Sequence, residues 1–177
     1  MFKKVFTLFC FSALCLSSLI AQDLYFMPKD QKRALNALLY TIKSTQNTLD
    51  IAIYSFTNRQ ISKAIRDVAK QGVKVRIIYD ESSNKDPNKS TIGYLAKLNN
   101  IQTCLLKGER SKNGKYNGLM HIKMAISDDK HLILGSANWS KSAFETNYET
   151  LLILEDKKLI EQSHNAFEEM FKKCEKY

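Results

Sequence analysis

The stretch LMHIKMAISDDKHLILGSANWS, residues 119–140, carries the pattern on which the fold is read. Two apolar runs, residues 121–127 and 131–135, flank Asp128-Asp129-Lys130, the arrangement of two strands joined by a tight turn. Period-2 alternation places His121 and Lys123 on one face and Ile122 on the core face, with Met120 and Met124 beside Ile122 on the apolar side. An imidazole and an ammonium side by side suit a core badly unless something anionic sits over them. A lone His-x-Lys would be read as a solvent-facing strand. The residues that follow change that reading, because they run His121-x-Lys123-x-x-x-x-Asp128, then Gly135-Ser136-Ala137-Asn138, then Asn147-x-Glu149.

Outward from this stretch, helices and strands alternate. Ala34, Leu35, Leu38, Leu39 and Ile42 recur at helical spacing within residues 30–46. Residues 48–56 form a strand rich in Ile and aromatics. Asn58 caps a helix that runs to Gln71 and closes on Gly72. Residues 73–79 are a strand, 80–88 a polar loop, 92–98 a short helix and 101–106 a further strand. A glycine-punctuated loop, residues 107–118, carries Lys107, Arg110, Lys112 and Lys115 into His121. Residues 147–154 add another strand, and Asp156 opens a closing helix through Lys173. Strands and helices that alternate early and give way to a run of strands predict one α/β domain, a mixed β-sheet flanked by helices.

The first 21 residues are read apart from that domain. Lys3 and Lys4 precede an uncharged apolar run over residues 5–20, and Ala21 offers a small residue before Gln22-Asp23, as in a cleaved signal peptide. A retained membrane anchor is the other reading of the run, and Leu14 before Cys15 argues against a lipid-modified cysteine. The segment holds two lysines and no acid, so its removal takes the formal charge from +9 to +7. That basic balance suits nucleic acid or an anionic membrane surface. An exported chain, in the periplasm or cell envelope, keeps only Cys104 and Cys174, which either pair in a disulfide or stay as two buried thiols.

The ordered set His121, Lys123, Asp128, Gly135-Ser136-x-Asn138 and Glu149 resembles the HKD motif of the phospholipase D superfamily. Residues 119–140 are similar to the small bacterial endonucleases of that superfamily, the Nuc group. The resemblance implies a phospholipase D-like domain with one HKD motif per chain, and a phosphodiesterase acting on DNA or RNA; a phospholipase and a non-catalytic DNA-binding module are the alternatives. It also implies a homodimer in which two His121 side chains meet, because two-copy members bring both histidines in one chain. No cofactor or metal is expected, since the sequence holds no Asp, Glu, His or Cys cluster at metal-ligand spacing. Lys123, Asn138 and Ser136 would donate hydrogen bonds to the phosphoryl oxygens instead. His121 would attack phosphorus as a neutral imidazole. Glu149 would pair with its other ring nitrogen, and Asp128 would order the turn without touching phosphorus. The loop with Lys107, Arg110, Lys112 and Lys115 would guide the phosphate backbone, or else be an ordinary solvated loop. Trp139 would stack on a base or lie in the core. His131 and His164 are read as surface or structural residues.

Overall fold

The computed structural model describes residues 22–177, so the signal segment expected over residues 1–21 lies outside the described residues. The elements run β1 (Gln22–Met27), α1 (Gln31–Ser44), β2 (Thr48–Ile53), α2 (Arg59–Lys70), β3 (Lys74–Asp80), α3 (Glu81–Asn84), α4 (Ile92–Leu95), β4 (Ile101–Leu106), β5 (Lys123–Ser127), β6 (His131–Gly135), α5 (Lys141–Glu145), β7 (Glu149–Leu154), α6 (Lys157–Lys173) and β8 (Glu175–Lys176). All eight strands join in one sheet, ordered β1-β7-β6-β5-β2-β3-β4-β8. β2, β3 and β4 are parallel, whereas β5 runs antiparallel to β2 and begins an antiparallel half that ends on β1. The mixed sheet expected from the sequence is therefore present.

Helices α1 and α2 cover one face, over a core that includes Leu49, Ile51, Ile53, Ile77 and Ile133. Within α2 the residues Ile61, Ala64, Ile65, Val68 and Ala69 point inward. The Asn58 side chain accepts from the N–H groups of Gln60 and Ile61, and Gly72 follows with φ 106°, as the capping signals require. On the other face α6 packs Phe167 and Ile160 against Ala52, Ile78, Met124 and Leu132. Arg76 on β3 fastens that helix: its guanidinium grips Asp50 at 2.7 and 2.6 Å and Glu168 of α6 at 2.7 Å, and it lies over the rings of Phe167 and Phe171. Cys104 of β4 and Cys174, just after α6, form a disulfide with Cα atoms 5.7 Å apart, so the question left open by the sequence resolves in favour of pairing.

Two strands were not anticipated. β1 is an edge strand with only Tyr25 and Met27 turned inward, and β8 pairs for two residues with β4. β8 is too short for a periodic signal, and β1 reads as two polar residues followed by four apolar ones, Leu24 to Met27, which gives no alternation. The expected strand at residues 121–127 also starts later. β5 opens at Lys123, which lies opposite Ile53 and is buried, while Ile122 is exposed. The expectation that Ile122 would fill the core is thus corrected. Lys123 takes the side covered by α1 and α2, and Ile122 faces an open groove, described below, at the end of the sheet.

Candidate functional site

His121, Lys123, Ser136, Asn138 and Glu149 lie toward one end of the sheet, where β2 and β3 finish, β5 and β7 start, and β6 exits. In open α/β sheets the carboxyl ends of parallel strands are where backbone and loops leave room for a ligand. Tyr54, just past β2, donates its N–H to the carbonyl of Ile122 and lays its ring against His121, with centroids 4.3 Å apart. The ammonium of Lys123 sits 2.9 Å from Nδ1 and 3.0 Å from Nε2 of His121, and donates to the His121 carbonyl at 3.0 Å. An ammonium only donates, so this contact is a hydrogen bond when the facing ring nitrogen carries a lone pair. That is the form in which imidazole is a nucleophile. Burial lowers the Lys123 pKa from its ordinary value, and the carboxylates of Glu149 and Asp80 oppose the shift.

After β6 the chain cannot simply continue. A Cβ on Gly135 would collide with the carbonyl of Thr150, so only glycine allows this close approach to β7. From there Ser136 and Ala137 donate their N–H groups to Thr150, and the segment crosses to the end of β2. Trp139 receives N–H groups from Thr57 and Asn58 and donates its own to Ser55. This crossing delivers Asn138, whose buried Oδ1 has no partner among the described residues.

Glu149 lies elsewhere than expected. Its carboxylate accepts from the Ser136 hydroxyl and from Asn147 Nδ2 at 3.4 Å, and no hydrogen bond joins it to His121 among the described residues. The physical reason is the strand order: β6 separates β7 from β5, which puts about 10 Å between their axes. Ser136 is accordingly occupied with Glu149 and with the N–H of Thr150 at 3.0 Å.

Asp128 stands at the far end of β5. Its carboxylate accepts the N–H groups of Gln46 and Asn47, each at 2.7 Å, and of Thr48 at 2.9 Å, tying the β5–β6 turn to the start of β2. Partial burial works to raise its pKa, but these three donors and His131 outweigh it and hold the carboxyl below its ordinary value. Seven residues of extended chain separate it from His121, about 20 Å. The geometry is that of a turn anchor, as the sequence suggested.

Trp139 is corrected: it is 1% exposed and packs edge-on against Phe56, so it belongs to the core and offers no face to a base. The loop after β4 folds back on itself through an Arg110–Asn117 bridge. Lys107 pairs with Glu81 at 3.1 Å and Arg110 bonds the carbonyl of Gly114, which leaves Lys112 and Lys115 exposed without an ion pair among the described residues. His131 pairs with Glu155 and His164 lies between Asp129 and Glu168, both toward the end of the sheet opposite His121. Three groups missed by the sequence reading border the site: Tyr54, Asp80 and Asn84. All sit at or just beyond the ends of β2 and β3, and that position was the available signal. Beside His121 opens a groove of about 480 Å³ walled by Leu106, Leu119, Met120, Ile122 and Met170.

The sequence matches the family described as "Cardiolipin synthase, PLD-like domain" over residues 38–171, and the chain belongs to the phospholipase D superfamily. Within it the chain falls with the Nuc endonucleases. It superposes on NucT from Helicobacter pylori with a TM-score of 0.87 and 48% identity, covering 89% of this chain and 99% of that one. Nuc from Salmonella typhimurium, a phospholipase D family member, gives 0.73 and 25% identity over 89% of this chain and 98% of its own. Among curated proteins, the mitochondrial cardiolipin hydrolase of Mus musculus is 31% identical over 140 residues, 78% of this chain; the chain spans 58% of that protein's length.

Proposed function

We propose that this chain is an exported endonuclease that hydrolyses DNA through His121 without a metal ion, and that a second copy of the chain completes the site. The observation that carries the reading is the His121 ring set against the Lys123 ammonium beside an open groove, in a chain 48% identical to NucT. The neutral ring attacks phosphorus, the bond to the leaving oxygen breaks, and that oxygen takes a proton. Water then displaces the phosphohistidine and returns the imidazole, so two inversions give net retention. The Lys123 ammonium and the Asn138 NH2 donate hydrogen bonds to the phosphoryl oxygens and stabilise the charge that a metal would otherwise meet. Glu149, held by Ser136, contributes its negative charge to keeping Lys123 protonated. Lys112 and Lys115 track the backbone of the polymer.

The leaving oxygen needs an acid, and His131 and His164 are engaged elsewhere. The second His121 of a homodimer supplies it. The exposed Phe26 on β1 and Tyr148, which is 94% exposed, support a partner at this end of the sheet. The likeness to a cardiolipin hydrolase makes a phosphatidyl lipid at an anionic membrane the competing substrate.

The test incubates the exported protein with labelled single- and double-stranded DNA, RNA, and cardiolipin vesicles, all in chelator. DNA cleavage that His121→Ala abolishes is the expected result. Lipid turnover without DNA cleavage, loss of activity in chelator, or a fully active monomer in sedimentation would each overturn the corresponding part.

A further inference from the structure

We infer that Asp80 is the positioning residue of this site: its buried carboxylate tethers the chain immediately before His121 to the end of β3. The inference rests on the phosphodiesterase reading above. Asp80 is 1% exposed, and a carboxylate withdrawn from water that far is costly unless its oxygens are satisfied. They are, in two directions. Oδ1 accepts from the Ser82 hydroxyl at 2.5 Å and the Ser83 N–H at 3.0 Å, and Oδ2 accepts from the Met120 N–H at 2.9 Å. The first pair caps the short helix α3. The second spans 40 residues of sequence and ends one residue before His121.

Those two duties specify the residue type. A helix cap alone is served by Ser, Thr or Asn. Here both side-chain oxygens must accept, from opposite sides, on a short stem. Asparagine would turn its NH2 toward either Met120 or Ser83 and oppose one donor with another, and serine has a single oxygen. Only aspartate meets both.

The tether belongs to a larger bracket. Asn84, 1% exposed, donates Nδ2 to the carbonyls of Tyr54 at 2.6 Å and Asp80 at 2.9 Å, and its Oδ1 accepts from Phe56 N–H and Ser90 Oγ. Asp80 and Asn84 thus join the end of β2, which carries the Tyr54 ring, to the segment that carries His121. The charge acts as well as the bonds. His121 and the Tyr54 ring lie against Lys123, and the charges of Glu149 and Asp80, neither of them ion-paired with it, oppose the effect of burial on its ammonium. Removing one of them lets burial win further, so Lys123 loses its proton at lower pH.

The experiment compares Asp80→Asn, Asp80→Glu and a surface control on α2, Asp67→Asn, on bis(p-nitrophenyl) phosphate and a fluorescent single-stranded oligonucleotide. Asp80→Asn should lower kcat about 100-fold, the scale of an ångström-sized misplacement, with little change in KM, and should move the alkaline limb of the pH profile, which needs both Lys123 and the acid imidazole protonated, to lower pH. Asp80→Glu keeps the charge and displaces the acceptor, so it should lose kcat while the alkaline limb stays. Hydrogen exchange at the Met120 amide is read alongside and needs no turnover: slow in the native protein, fast in Asp80→Asn. If the native protein turns over neither probe, the phosphodiesterase reading fails and the exchange data still judge the tether. Native-like kcat and exchange in Asp80→Asn overturn the proposal. So does a loss of activity matched by the unfolded fraction with the alkaline limb unmoved.

Discussion

Replacing Asp128 distinguishes a turn anchor from a group that handles phosphorus. Three backbone donors converge on its carboxylate, two on Oδ1 and one on Oδ2. Hydrogen bonds to an ionised acceptor contribute roughly 1.5–3 kcal/mol when shielded, and about 1 kcal/mol each is the appropriate share where solvent competes. Asp128→Ala removes all three. It also puts a Cβ-bearing residue without a local hydrogen-bonding group at φ 52°, at a further cost of about 1 kcal/mol. The expected destabilisation is about 4 kcal/mol in total. Asp128→Gly loses the bonds but not the backbone preference, about 3 kcal/mol. Asp128→Asn keeps the oxygen that serves Asn47 and Thr48 and the tolerance of that conformation, but loses the Gln46 bond and sets an NH2 against that donor, about 2 kcal/mol. Urea unfolding of the oxidised proteins measures the series, and kcat/KM is taken where each variant stays folded. Turnover should remain within about tenfold of the parent, because the residue lies about 20 Å along the chain from His121. A glycine variant less stable than the alanine one, or a hundredfold loss of kcat at unchanged stability, would refute the reasoning.

Three further outcomes follow from the packing. Thiol titration of the unreduced chain from residue 22 onward should find no free thiol, and Cys174→Ser should lose about 4 kcal/mol of stability, since the bridge closes 70 residues. Trp139 is the single tryptophan, so its emission should be that of a buried indole and should not be quenched by an oligonucleotide; strong quenching would restore the stacking role. Glu168 is held below its ordinary value first by its hydrogen bond to Arg76, so it contributes stability above the ordinary glutamate range that is lost as the pH falls through the lowered value. Glu168→Gln should therefore flatten the acid side of the stability–pH curve, and an unchanged slope would count against the Arg76 clamp.

The order of elements was legible because the long helices and inner strands carry strong periodicity, as in α2 with its Asn58 cap and Gly72. The motif residues were legible by spacing. Three things were not. Ile122 alternates correctly but lies where the covering helix has ended, and alternation says nothing about cover. Glu149 follows Ser136 by 13 residues, but only the placement of β6 between β5 and β7 shows that it meets Ser136 first. Asp80 looked like the first residue of a polar loop, because its partner Met120 is 40 residues away and a backbone N–H leaves no mark in sequence.

The placement of β5 against β2 has a consequence for how activity is acquired. The parallel group β2–β4 and the antiparallel group β5–β7 each form their pairings within a short span of chain, while β1 joins β7 from the far end of the sequence. Ile53 opposite Lys123 belongs to neither; it lies on the seam between them, across 70 positions of sequence. Non-local pairings of this kind close late, after local loops have formed. Tyr54 and Asp80 come from one side of that seam, and His121, Lys123 and Asn138 from the other. A refolding chain should regain most of its circular dichroism first and its turnover only when the seam shuts, which makes catalysis a reporter of that docking event.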